Sequence, residues 1–73
     1  EGQSIAYEAA SRARRWAYED LGFTTLTSNI SVDNARSQRL AERMGAFYEK
    51  TYKNTHENKD MMLYRHPGPA VIL

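Results

Sequence analysis

The sequence contains no cysteine. That excludes a disulfide framework, a thiolate nucleophile and a cysteine-built zinc cluster. Long apolar runs are also missing, and nothing approaches the ~20 residues that a membrane-spanning helix needs. Neither sign of charge dominates: ten Lys+Arg stand against nine Asp+Glu, a formal net charge of +1. Such a balance argues against a dedicated nucleic-acid or membrane-surface protein. Histidine is scarce, with His56 and His66 alone. His56 lies near Glu57 and Asp60 at a spacing that matches no metal motif, so it reads as a solvated loop residue and no metal site is expected. No signal-peptide pattern is visible. The sequon Asn29-Ile30-Ser31 falls in a predicted strand without secretory context and is read as chance, so a cytoplasmic location is expected.

What is present fits one domain or part of one, in 73 residues. Folding a chain of this size buries about 4,500 Å² of apolar surface, worth ~110 kcal/mol at ~25 cal/mol per Å². Ordering the residues costs about the same at ~1.5 kcal/mol each. The near-zero balance, and a first residue that is Glu1 rather than Met, lead to the expectation of a missing upstream half or of self-association.

Residues 5–21 read as a helix, with Ala6, Ala9, Ala10, Ala13, Trp16, Ala17 and Leu21 at helical spacing on its inner face. Glu8, Arg12, Arg15 and Glu19 form the solvated side with two i,i+4 pairs, and Gly22 ends the helix. The cluster Arg12, Arg14 and Arg15, beside Trp16 and Tyr18, is read as helix surface. A nucleic-acid site would interleave more basic and aromatic residues. Residues 23–31, rich in β-branched side chains, read as a strand with Leu26, Ile30 and Val32 on one face. A second helix runs from about Ala35 to Met44. Asn34 is its N-cap candidate, Asp33 the rival, and Gly45 its stop. Residues 46–53 and 61–66 read as the strands of a hairpin around the polar segment "NTHENKD". Tyr48 and Tyr52 are expected on one face of the first. The tail 67–73 is expected as a loose terminus or an added strand.

The order helix–strand–helix–strand–strand implies an α/β fold, a mixed sheet with helices packed on it. One detail stands out. Leu40, Ala41 and Met44 form the apolar stripe of the second helix, and one turn earlier that stripe carries Ser37. Read from the residues alone, Asn34 caps the helix and Ser37 bonds locally, as serine does near helix starts.

Three features together give the chain a resemblance to the C-terminal half of a GNAT-family N-acetyltransferase. They are Ser4-Ile5-Ala6 leading into Glu8-Ala9-Ala10, then Asn34 to Ser37 opening the second helix, then Leu40, Gly45 and Phe47 closing it. The resemblance covers residues 1–66 and is closest to the branch that acetylates N-terminal amines of ribosomal proteins. It implies acetyl-CoA as cosubstrate and a primary amine as acceptor, on a small molecule or a protein N-terminus. The family's pyrophosphate loop would run through Gly2, Gln3, Ser4, Ile5 and Ala6. Ser4 stands where the family motif has glycine, and Glu1 where it has glutamine or arginine. A helix start attracts a phosphate through its unpaired N–H groups and dipole.

The resemblance also implies that Asn29 and Asn34 lie along the pantetheine arm and that the Ser37 hydroxyl approaches the CoA sulfur. There it would donate to the charge that develops as the thiolate leaves. Tyr48 is the second candidate for that donor. The family's general base and much of its acceptor pocket belong to a preceding half, so this stretch alone is expected to be inactive. A competing reading is a non-catalytic interaction module that has kept the scaffold and lost CoA binding.

Overall fold

The computed structural model describes residues 2–73, with side chains from Ser4 onward. In chain order the elements are α1 (Gly2–Glu19), β1 (Thr27–Ser31), α2 (Ala35–Arg43), β2 (Phe47–Asn54), β3 (Lys59–Arg65) and a short α3 (Pro69–Ile72). The sheet has 3 strands in the order β1-β3-β2. Both pairings are antiparallel, which corrects the expected mixed sheet. A helix does join β1 to β2, and the two strands run the same way. They never touch, because β3 turns back from the hairpin and fills the space between them.

α1 begins before the expected residue 5 and is rotated relative to its hydropathy. Arg14, Ala17 and Tyr18 are buried, with Tyr7, Ala10 and Ser11 half-buried. This stripe lies one residue further along than the alanine stripe, a turn of about 100°. Trp16 and Leu21, expected inside, are 55% and 47% exposed. Tyr18 and Arg14 find partners on the inner face, although Ser11 Oγ and Arg14 Nε are buried there without one. Tyr18 Oη donates to Pro67 O at 2.8 Å, and Arg14 reaches Met44 O at 2.7 Å. On the outer side, Arg12–Glu8 at 3.2 Å and Arg15–Glu19 at 3.5 Å form the anticipated pairs. At that exposure each adds only a few tenths of a kcal/mol.

Gly22, at φ +73, turns the chain out of α1, and Phe23 N–H donates to Ala17 O at 3.1 Å. The extended stretch that follows joins the sheet only at Thr27, four residues later than the β-branched run suggested. Val32 leaves the sheet for a turn and is exposed.

α2 follows its sequence closely. Asn34 is the N-cap, its Oδ1 accepting from Ser37 N–H at 3.1 Å. Asp33, the rival, accepts instead from Ser31 Oγ at 3.1 Å. Gln38 Nε2 donates to Ser31 O and Val32 O, both at 3.1 Å, and ties the helix to the end of β1. The helix ends in a Schellman motif. Ala46 N–H donates to Ala41 O at 3.0 Å and Gly45 N–H to Glu42 O at 3.0 Å, with Gly45 at φ +82. Both alanines are buried in the core, which also holds Ile30, Tyr64 and, at its margin, Met62.

The hairpin carries one irregularity with consequences. Tyr48 pairs with Tyr64 and Lys50 with Leu63, so Glu49 is an extra residue, a β-bulge. The inserted residue reverses the alternation beyond it. Tyr48 therefore shares the helix-side face with Tyr64, their rings edge to face at 6.0 Å. Tyr52 lies on the other face, where its hydroxyl donates to Asn29 Oδ1 at 2.8 Å. The two tyrosines expected on one face are thus on opposite ones. The tail forms neither a free end nor a strand, since α3 packs on α1.

A substitution tests the α2 stop. A Cβ on Gly45 would lie 3.4 Å from Pro67 Cγ and would demand an L-residue at φ +82, whereas one on Gly22 would meet nothing within 4 Å. Gly45→Ala is expected to cost about 1–2 kcal/mol in urea unfolding from backbone strain, and somewhat more from the proline contact. Gly22→Ala should show the strain alone, so it should be the milder of the two.

Candidate functional site

Small residues on one side of α1 leave a groove between α1, β1 and α2. Its volume is about 440 Å³. Ala10 and Ala13 form the α1 wall, while Ser28 and Ile30 come from β1. Ser37, Leu40 and Met44 from α2 close the other side, and Arg14 and His66 complete it. Among the described residues, no acidic side chain lines the groove.

Ser37 thus lies where its place on the Leu40–Met44 stripe puts it. Its backbone N–H is taken by the Asn34 cap, and its half-buried side chain faces the groove. Asn34 is exposed and occupied by its capping role. Asn29 is on the opposite face of the sheet, bonded to Tyr52, and is not part of the groove wall. Tyr48 is also outside it, with its hydroxyl 2.7 Å from Thr51 Oγ1. Ser4, Ile5 and Ala6 are exposed residues near the start of α1. They lie within the helix rather than in a turn ahead of it. Glu1 lies outside the described residues, as do the side chains of Gly2 and Gln3.

The residues that sequence reasoning missed form one chain. Arg14, read as helix surface, is only 8% exposed. One nitrogen, Nη1, donates to Met44 O at 2.7 Å and lies 3.0 Å from His66 Nδ1. His66 is 9% exposed, and its Nε2 is 2.8 Å from Ser28 Oγ. The ion pairs among the described residues involve Arg12, Arg15 and Arg65, so Arg14 is a buried cation with no carboxylate beside it. Its compensation is the C-terminal end of α2. The Met44 carbonyl carries the partial negative charge of the helix terminus, and a hydrogen bond from a charged donor contributes about 1.5–3 kcal/mol. Neither Arg14 nor His66 announces this role in the sequence. Each sits among polar neighbours in a pattern typical of a surface.

Arg14 also settles the state of His66. A guanidinium has only N–H to offer, so Nδ1 must be the acceptor and the single imidazole proton sits on Nε2. Burial, then the charge of Arg14, push the His66 pKa down from its ordinary value. Away from the groove, the Arg65 guanidinium grips Glu49 at 2.6 and 3.2 Å and holds that carboxyl below its usual range. Burial and Glu42 push the Tyr64 hydroxyl up. Among the described residues no cluster of His, Asp and Glu is arranged to hold a metal. No described helix is long and apolar enough to cross a membrane.

Apart from His66, the lining of the groove comes from one recognisable segment. The model of the acetyltransferase (GNAT) domain matches residues 1–46, more than half of the sequence, and this stretch contains α1, β1 and α2. The chain belongs to the GNAT acetyltransferase domain family. No curated protein and no solved structure matches it.

The depressed His66 pKa has a testable sign. A folded pKa below the unfolded value means that the unfolded chain binds the proton first on acidification. The stability His66 contributes is complete above about pH 6.5 and is lost as pH falls from there toward its lower folded pKa. Unfolding free energy should therefore fall between pH 7 and pH 5, and His66→Gln should flatten that slope. An unchanged slope in the variant would contradict the assignment. In Arg14→Met, ring titration followed by NMR should show the His66 pKa rising.

Proposed function

We propose that the protein is an acetyl-CoA-dependent N-acetyltransferase acting on a primary amine, either of a small molecule or of a protein N-terminus. The observation that carries this reading is the position of Ser37. In a chain of this family, the hydroxyl-bearing residue at the start of α2 lines a groove whose other walls are small, apolar or neutral apart from the buried Arg14. A pantetheine arm is a neutral amide chain with a thioester end, and the lining fits it: the hydroxyl-bearing Thr27, Ser28 and Ser37 and, among the described residues, no carboxylate.

Acetyl-CoA would supply an activated acyl group, transferred directly to the amine as the new C–N bond forms and the C–S bond breaks. The sulfur gains a proton and the amine loses one. Ser37 serves as the donor to the sulfur, by hydrogen bond or proton. The apolar walls, Leu40 and Met44, keep water from competing. The first turn of α1, ending at Ser4, offers unpaired N–H groups to the pyrophosphate.

Calorimetric titration with acetyl-CoA tests binding, on this chain and on any longer natural form that contains it. Binding by at least one is expected, and binding by neither would overturn the reading. In the form that turns over, Ser37→Ala should lower kcat by about 100-fold, the lower end of the range for a positioned proton donor. Tyr48→Phe should leave kcat within about twofold, since that hydroxyl is satisfied by Thr51 outside the groove. Unchanged kcat and KM in Ser37→Ala would remove Ser37 from the mechanism. A large loss in Tyr48→Phe alone would transfer the role to Tyr48.

A further inference from the structure

We infer that Ser28 is a ligand-contacting residue, whose hydroxyl donates a hydrogen bond to a carbonyl oxygen of the pantetheine arm. The Arg14–His66 pair acts as a positioning unit that leaves this hydroxyl with no other use for its proton. The inference rests on the acyl-CoA reading above and adds to it a residue that neither the resemblance nor the sequence pattern supplied.

The chain of reasoning is one of donors and acceptors. Arg14 Nη1 can only donate, and it lies 3.0 Å from His66 Nδ1. His66 Nε2 therefore carries the proton and points it at Ser28 Oγ, 2.8 Å away. Ser28 accepts there. Its own single proton must go to a different atom, and none of the hydrogen bonds among the described residues takes it. Ser28 is half-buried and lines the groove on the β1 side, with Ser37 contributing from the α2 side. A half-buried hydroxyl with an uncommitted proton, set in an apolar wall, calls for an acceptor. The reverse arrangement, with the proton on Nδ1, would set two donors against each other at 3.0 Å in a buried site.

The ligand class follows. The carbonyl oxygens of the amides and thioester of a pantetheine arm are acceptors of the kind this hydroxyl requires. The buried Arg14 strengthens the relay by keeping His66 neutral and its Nε2–H polarised toward Ser28. Arg14 and His66 themselves need not touch the ligand.

The test compares the unsubstituted protein with Ser28→Ala and Ser28→Thr, in whichever natural form binds acetyl-CoA. Ser28→Ala should weaken acetyl-CoA binding about three- to tenfold, the loss of one neutral hydrogen bond. Ser28→Thr, which keeps the hydroxyl, should stay within about twofold. Affinity for adenosine 3′,5′-bisphosphate, which lacks the pantetheine arm, should be unchanged in both, a pattern that mere loss of stability would not give. Long-range proton–nitrogen NMR on the unsubstituted protein should find His66 protonated at Nε2, and this holds even if a variant fails to fold. A proton on Nδ1 overturns the relay. Equal acetyl-CoA affinity in Ser28→Ala overturns the inference while the acyl-CoA reading stands. Absence of acetyl-CoA binding by every unsubstituted form overturns that reading, and this inference with it.

Discussion

Arg14 holds the structure's distant parts together. Its guanidinium joins the middle of α1 to the last turn of α2 and to the residue that follows β3. It does so from a buried position without a carboxylate, which would be costly in isolation. The α2 terminus makes it tolerable, because the helix ends in a Schellman turn that leaves the Met44 carbonyl facing inward. The stop at Gly45 and the burial of Arg14 are therefore one arrangement seen from two sides. The contact of Arg43 with the Tyr7 ring, 4.8 Å from the centroid, ties α2 to α1 a second time.

The groove is a product of the same constraint. With Arg14, Ala17 and Tyr18 turned inward, Ala13 is left at the exposed margin of the groove and Ala10 half-buried beside it. Ala10 and Ala13 line the groove with short side chains, and space remains where larger ones would have filled it. The helix that is anchored by its long polar residues is held off by its small ones. The sheet contributes its own asymmetry. The bulge at Glu49 sends Tyr52 to the outer face with Asn29, while the unbroken alternation of β1 puts Ser28 and Ile30 on the helix side.

Much of this was legible in the residues. The caps at Asn34 and Gly45, the stop at Gly22, the hairpin and the Ser37–Leu40–Met44 stripe all follow from local chemistry, which acts over a turn or less. The failures share another character. Arg14 and His66 are 52 positions apart and look like surface residues until the fold brings them together. The rotation of α1 depends on acceptors supplied by residues 44, 66 and 67. The bulge reverses a strand alternation that has no composition signal, and β3 entering between β1 and β2 is a choice of topology. Local patterns placed the elements and one wall of the groove. Long-range polar contacts decided which face of α1 meets it, whereas the face of β1 followed from the alternation of Leu26 and Ile30.

The central claim is that the groove between α1, β1 and α2 receives the arm of acetyl-CoA. Backbone and methyl NMR shifts recorded during acetyl-CoA titration test it most directly. The account predicts that the largest changes fall on Ala10, Ala13, Ser28, Ser37 and Leu40, together with the His66 ring. Changes concentrated instead around Asn29 and Tyr52 on the outer face of the sheet would contradict it.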